Sequence, residues 1–320
     1  VARSVLRDLA RQRLSYTNEG YRNALEAVRS LPSSGPLIPR AVGDQELFEA
    51  AVFSHLLKPC HFGLHPLRIA AARPYPEHLV LVIDSSYHLV FDVLRDLLPV
   101  GDRDGAEVHG VEGLRIRRWR RDGLDLHQPG RRTAIRLIGA PQAIWRRAEQ
   151  QIANDVDGSL FVPCWRTDPA GWTAGEVSQE RDDGSFYVRI ARSGAWLASG
   201  LLRRVAIFHT TAVPWTADGW RGLSPRLLWK FDLACYPDLP LHMDEVAAAL
   251  THSRLGLPVR AHPVSPRFPN VLRLSAINGD EALELHFMRW EAGRQWMIDP
   301  DCARTVRRRA ETVVARLARQ

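Results

Sequence analysis

Between Leu79 and Cys164 the apolar residues switch repeatedly between strand-like runs and helix-like spacing, an order that few folds accommodate. Leu79 to Ile83 is an unbroken apolar run of strand length. Tyr87 to Leu98 then carries apolar residues at helical spacing, with Asp84 to Ser86 placed to cap the helix. Leu114 to Trp119 and Thr133 to Ile138 read as strands, Pro141 to Ile152 as a helix with proline in its first turn, and Leu160 to Cys164 as a strand. The order βαββαβ predicts an α+β fold of ferredoxin-like arrangement, two helices covering one face of an antiparallel sheet.

The flanks extend this reading. Residues 2 to 30 predict two short helices, with Val5, Leu6 and Leu9 on one apolar stripe, Ser15 capping the break, and Tyr21, Leu25 and Val28 continuing a second stripe. Leu31 to Pro39 holds three prolines and reads as a linker; Asp44 then caps a helix to about Leu57. After a polar stretch from Arg166 to Gly184, strands are expected at Phe186 to Ile190, Val205 to His209, Leu227 to Leu233, Val271 to Ile277 and Ala282 to Met288. Helices are expected at Met243 to Leu250 and Ala303 to Ala318. The predicted organisation is a helical segment 1–34, an α+β domain 35–165 with a basic hairpin, and a second α+β domain 185–320. That last domain has a mixed antiparallel sheet and a C-terminal helix. A chain of 320 residues exceeds what one core usually serves, which agrees with two domains.

The longest apolar runs are far short of a bilayer span, and residues 1 to 13 alternate arginine with leucine instead of forming a signal peptide. Cys60, Cys164, Cys235 and Cys302 lie far apart without CxxC spacing, as reduced, mostly buried thiols would. A cytoplasmic protein with no membrane partner is expected. Neither lysine, Lys58 before Pro59 or Lys230 after Trp229, sits in a phosphate-binding glycine loop. GxGxxG, HExxH, GxSxG, kinase and EF-hand signatures are missing as well, so no cofactor is assigned. His55, Cys60, His61 and His65 are metal-ligand types within eleven residues, but Pro59, Gly63 and Pro66 interrupt them and no metal is assigned. Leu81-Val82-Ile83-Asp84-Ser85-Ser86 resembles the start of the metal-ion-dependent adhesion site of von Willebrand A domains, which implies a divalent ion on Asp84 and the serines. His88 stands where that family has its last serine, and helix capping accounts for the same residues. Asp299 and Asp301 read as a helix start, and Trp215, Trp220 and Trp229 as core residues.

The arginines carry the functional expectation. Of 43 basic residues, all but Lys58 and Lys230 are arginine. Residues 113 to 147 hold ten arginines against Asp122 and Asp125; residues 1 to 30 hold six against three acids, and residues 303 to 320 hold six against Glu311. Strand alternation in Arg115-Ile116-Arg117-Arg118-Trp119-Arg120-Arg121 places Arg115, Arg117, Trp119 and Arg121 on one face. A basic sheet face with an aromatic residue suits a phosphodiester backbone with unpaired bases stacked on the ring. The predicted nucleic-acid contacts are therefore Arg115, Arg117, Arg118, Trp119, Arg120, Arg121, Arg131 and Arg132. The terminal helices add Arg3, Arg7, Arg11, Arg307 and Arg308. Two alternatives use the same residues differently: a module that docks an acidic protein, and an enzyme with an unfamiliar site.

Overall fold

The computed structural model describes residues 3–32, 34–57, 65–104, 107–157, 159–181, 194–210, 217–221, 228–235, 242–289, 308, 311–313 and 315. They form an α+β protein that divides into two compact units. A central unit comprises Arg40–His61 and Pro76–Leu202; a terminal unit gathers Val1–Pro39, Phe62–Tyr75 and Arg203–Gln320.

The terminal unit opens with helices α1 (Arg3–Thr17) and α2 (Tyr21–Ser30) and takes strand β1 (Ile69–Pro74) from farther along the chain. A buried ion pair fixes the break between the helices. Arg13 Nε lies 2.5 Å from Glu19 Oε1, and the same guanidinium donates to the Leu37 and Pro74 carbonyls. Ser15 does not cap this break as predicted: it lies inside α1, donating to the Gln12 carbonyl at 2.6 Å. Val5 is 45% exposed and stands outside the apolar stripe expected of it.

In the central unit, α3 (Asp44–Leu56) is buried along most of its length and packs on the apolar helix α8 (Ala195–Leu202). Its one carboxylate in that interface, Glu49, receives Gln45 Nε2 at 2.7 Å and the Ser199 hydroxyl at 2.6 Å, as a buried charge requires. Strand β2 (Leu79–Ile83) leads into α4 (Tyr87–Leu97), whose cap is Ser86, accepting from the Leu89 amide. A meander follows: β5 (Arg115–Arg120), β6 (Gly123–His127) and β7 (Ile135–Ile138). The strands stand in the order β2-β7-β6-β5, with β2 parallel to β7 and the other pairs antiparallel. Leu81, Leu137 and Leu124 line up across three strands, as do Leu79, Ile135 and Leu126, all essentially inaccessible to solvent. Helix α5 (Gln142–Asp157) packs on β6 and on α4.

This sheet departs from the βαββαβ expectation at two points. The strand at 135–138 does not pair with 115–120, because β6 lies between them. The final strand, β8 (Phe161–Pro163), leaves the sheet and joins β3 (Val100–Asp102) and β4 (Val108–His109) in a small antiparallel sheet of its own. Short helices α6 (Cys164–Thr167) and α7 (Ala174–Arg181) follow it. Gly139 ends β7 at φ +127°, where a Cβ would meet the Ile83 carbonyl oxygen at 2.1 Å. Gly139→Ala is therefore expected to cost more than about 2 kcal/mol, combining backbone strain with a clash against a strand that cannot move. A lowered urea midpoint measures it.

The remainder of the terminal unit is a second sheet in the order β11-β12-β13-β10-β9. Its strands are β9 (Ala217–Arg221), β10 (Leu228–Cys235), β11 (Val259–Ala261), β12 (Val271–Ala276) and β13 (Ala282–Arg289), with α9 (Met243–Thr251) between β10 and β11. Strands β10 and β13 are parallel and the other pairs antiparallel. Val205–Thr210 is a 3-10 helix and not the predicted strand; Val205 to His209 are all buried, so no alternation of faces is imposed on them. The strand predicted at 186–190 and nearly all of the predicted C-terminal helix lie outside the described residues; Arg308, Glu311, Thr312, Val313 and Ala315 are helical. No helix among the described residues is long and apolar enough to cross a membrane.

Candidate functional site

Strand β5 is where the sequence concentrates arginine, and one irregularity decides how it presents them. Ile116 pairs with Leu126 and Arg118 with Asp125, leaving Arg117 as an extra residue in a β-bulge. The bulge inverts the alternation beyond it. Ile116 and Trp119 now share the apolar face with Leu126 and Leu124, whereas Arg118 and Arg120 oppose Asp125 and Gly123 on the polar face. Arg117, Arg118 and Arg121 are exposed, and none of them makes an ion pair among the described residues.

While Asp122 is exposed in the turn, Asp125 is the carboxylate that the paired strands set against these arginines. Arg120 reaches its Oδ2 at 2.6 Å and Arg136, opposite it on β7, reaches Oδ1 at 2.7 Å. Partial burial opposes ionisation, but the two guanidinium groups outweigh it and hold the carboxyl below its usual range. Partial burial also depresses the proton affinity of His127, with Arg117 and then Arg115 depressing it further. The polar face thus carries an excess of positive charge that its neighbours already register.

Two predicted contacts are relocated by this geometry. Trp119 is half-buried and is covered by Arg146 of α5, whose guanidinium carbon stands 4.7 Å from the ring centroid; the ring faces the helix layer instead of offering an open stacking surface. Arg115 is 1% exposed and forms a two-pronged pair with Glu176 of α7, at 2.9 Å to Oε1 and 2.6 Å to Oε2, while its Nε donates to the Asp168 carbonyl. It is a structural arginine. So are Arg13, Arg203 and Arg204, all at most 2% exposed, which spend their donors on carboxylate and main-chain oxygens: Arg203 on Pro39 and Tyr75, Arg204 on Leu255 and Gly256.

The other predicted contacts fall into three groups. Arg131 stacks at 4.6 Å over Trp172 and pairs with Glu180, while Arg132 beside it is exposed. Arg7 and Arg11 are exposed on α1, Arg11 paired with Asp8 at 3.0 Å, and Arg308 is exposed; these belong to the terminal unit. The side chain of Arg3 and all of Arg307 lie outside the described residues, as do Cys60, His61, Trp215, Asp299 and Asp301. Of the weighed metal ligands, His65 lies against His209 with ring centroids 4.9 Å apart and planes tilted by 50°, and His55 is buried in α3. The described residues contain no grouping of three metal-ligand side chains. Trp229 is a core residue stacked on Phe231. Burial first, and Glu176 second, push the Cys164 thiol upward, away from nucleophilic reactivity.

A second polar constellation escaped the sequence reading. On the terminal unit's sheet, Lys230 opposes Glu284 and Asp232 opposes His286 across the parallel pair β10/β13, and Arg273 of β12 also opposes Glu284. Lys230 Nζ lies 3.7 Å and Arg273 Nε 3.8 Å from the Glu284 carboxylate, and His286 bridges Glu284 and Asp232 at 3.4 Å each. The signal was present: Lys-x-Asp, Glu-x-His and Arg-x-Ser on three strands, alternating with Phe231, Leu285 and Leu274 in the core. Charge at every second position of apolar strands marks a sheet with one open face.

Comparison with known proteins adds no assignment: no family model, curated protein or solved structure matches the chain.

Proposed function

We propose that the protein binds nucleic acid through phosphate contacts along the outer strand β5, with Arg117, Arg118 and Arg121 as principal donors and Arg120 and Arg136 beside them. The observation that supports this is the exposure of three arginines within five residues of one strand and turn, none of them neutralised by a carboxylate among the described residues. Guanidinium groups present a fork that fits phosphate oxygens, and their weak hydration makes such contacts inexpensive. Because the Trp119 ring is already covered by Arg146, recognition runs through the backbone and not through stacked bases. The exposed Arg132, Arg7, Arg11 and Arg308 supply further candidate contacts.

The triple variant Arg117→Gln, Arg118→Gln, Arg121→Gln tests the reading. Affinity for a mixed-sequence duplex should fall, and the slope of log affinity against log salt should flatten by about 2 to 3, the share of three phosphate contacts. All three residues are exposed, so the thermal melt should stay within about 1 °C of the parent. Unchanged nucleic-acid affinity in a folded variant would remove the proposal, and retention of an acidic polypeptide by the parent alone would reassign the face to protein docking.

A further inference from the structure

The open face of the second sheet carries a cleft of about 710 Å³, within the range that holds small molecules. Its floor is organised by hydrogen bonds. Arg260 opposes Ser275 across β11 and β12 and donates from Nε to the serine hydroxyl at 3.3 Å. His262, whose amide binds the Arg273 carbonyl, brings Nε2 to 2.9 Å from the same hydroxyl. An arginine, an imidazole and a hydroxyl therefore converge on one point, with Arg273 on the adjacent row. Arg260 is exposed and pairs with no carboxylate among the described residues. Phe268, 54% exposed and with the Arg267 guanidinium carbon 5.6 Å from its ring centroid, and Val271 also line the cleft, as do the carboxylates Asp280 and Glu284. An exposed phenyl ring and an arginine with no carboxylate partner among the described residues thus line one concavity.

We propose that this cleft binds a small phosphomonoester with a flat or apolar body. A carboxylate is satisfied by a single arginine fork, whereas donors on three side chains set about one point match the separate oxygens of a phosphate. Arg260, His262 and the Ser275 hydroxyl hold the phosphoryl group, exchanging their mutual hydrogen bonds for phosphate oxygens, and the organic portion lies on Phe268 and Val271. Glu284, engaged by Lys230, Arg273 and His286, keeps that side of the site electrically balanced. This site does not depend on the nucleic-acid reading; its residues lie in the terminal unit and those of the hairpin in the central one.

Titration calorimetry of the full chain with phenyl phosphate, inorganic phosphate and benzoate tests the assignment. Phenyl phosphate should bind at least about tenfold more tightly than either of the other two, and Arg260→Gln should weaken it by about tenfold or more, the effect of one charged hydrogen bond. Ser275→Ala, a smaller change on a half-buried residue, should weaken it by about threefold or more and decides the matter if Arg260→Gln fails to fold. The hairpin triple variant should bind phenyl phosphate as the parent does. No heat from phenyl phosphate at millimolar concentration would overturn the proposal. Equal affinity for inorganic phosphate or benzoate, or a loss confined to the hairpin variant, would overturn it too.

Discussion

Replacing Glu176 with glutamine is expected to lower the stability of the central unit by about 3–5 kcal/mol, the cost of leaving a buried charge without its partner. Glu176 is fully buried, and it meets more than Arg115: Oε1 also accepts from the Gly113 amide at 2.8 Å, and Oε2 from the Thr173 amide at 2.8 Å. Thr173 Oγ1 accepts in return from the Glu176 amide, which closes a capping box at the start of α7. Burial opposes ionisation of this carboxyl, but the Arg115 hydrogen bonds and the two amides outweigh it, so the folded protein holds the group below its usual range. A depressed carboxylate pKa contributes stability that is fully present above the unfolded value and disappears as pH falls through the folded one. Urea unfolding of parent and Glu176→Gln should accordingly differ most near neutrality and converge in acid. A difference under about 1 kcal/mol at pH 7 would show that Arg115 finds water or another acceptor. The same pairing means that substituting Arg115 reports on folding, and a loss of nucleic-acid affinity in such a variant says nothing about contact.

Affinity for nucleic acid should fall log-linearly with salt, by about fortyfold between 50 and 200 mM if three phosphates are neutralised and about five hundredfold if five are. Arg117, Arg118 and Arg121 are available outright, whereas Arg120 and Arg136 must share themselves with Asp125, which places the response between those limits. An independent reporter lies within the strand pair. Arg117 and Arg115 help to depress the proton affinity of His127, and a phosphate seated on Arg117 offsets that charge, so the imidazole pKa should rise towards its ordinary value on binding. Histidine proton shifts followed with and without an oligonucleotide measure this. A salt-independent affinity, or a His127 titration indifferent to ligand, would dismiss phosphate contact at the hairpin.

The local elements were legible where local chemistry decides them. Ser86 caps α4 as its spacing implied, and the charged, apolar and turn residues of β2, β7, α5, β12 and β13 marked their positions to within a few residues. Elements set by tertiary pairing were less legible. The apolar run from Val205 to His209 reads equally as a buried strand or a buried helix, and only its all-round burial distinguishes them. Gly123–His127 carries the alternation Leu124-Asp125-Leu126-His127, yet its short length and adjoining turn residues concealed a central strand. The bulge at Arg117 has no sequence mark, because it exists only in the register of β5 against β6; one extra residue moved Trp119 from the expected binding face to the apolar one. Arginine count misled for a related reason: Arg13, Arg115, Arg203 and Arg204 face inward to carbonyl and carboxylate oxygens that only the folded chain brings together.

The alternation of the two units' segments along the sequence sets an order of events during synthesis. Helices α1 and α2 emerge well before the groups that complete the segment following them: Arg203 binds the Pro39 carbonyl at 2.7 Å, and the Leu37 amide binds the Arg254 carbonyl at 2.9 Å. The central unit, ending at Leu202, has its whole sequence available before either partner has been translated. At ordinary elongation rates of about 5–20 residues per second, the segment after α2 waits on the order of ten seconds or more for these contacts. In that interval the Pro39 carbonyl and the Leu37 amide, both satisfied from downstream in the finished protein, are left to water.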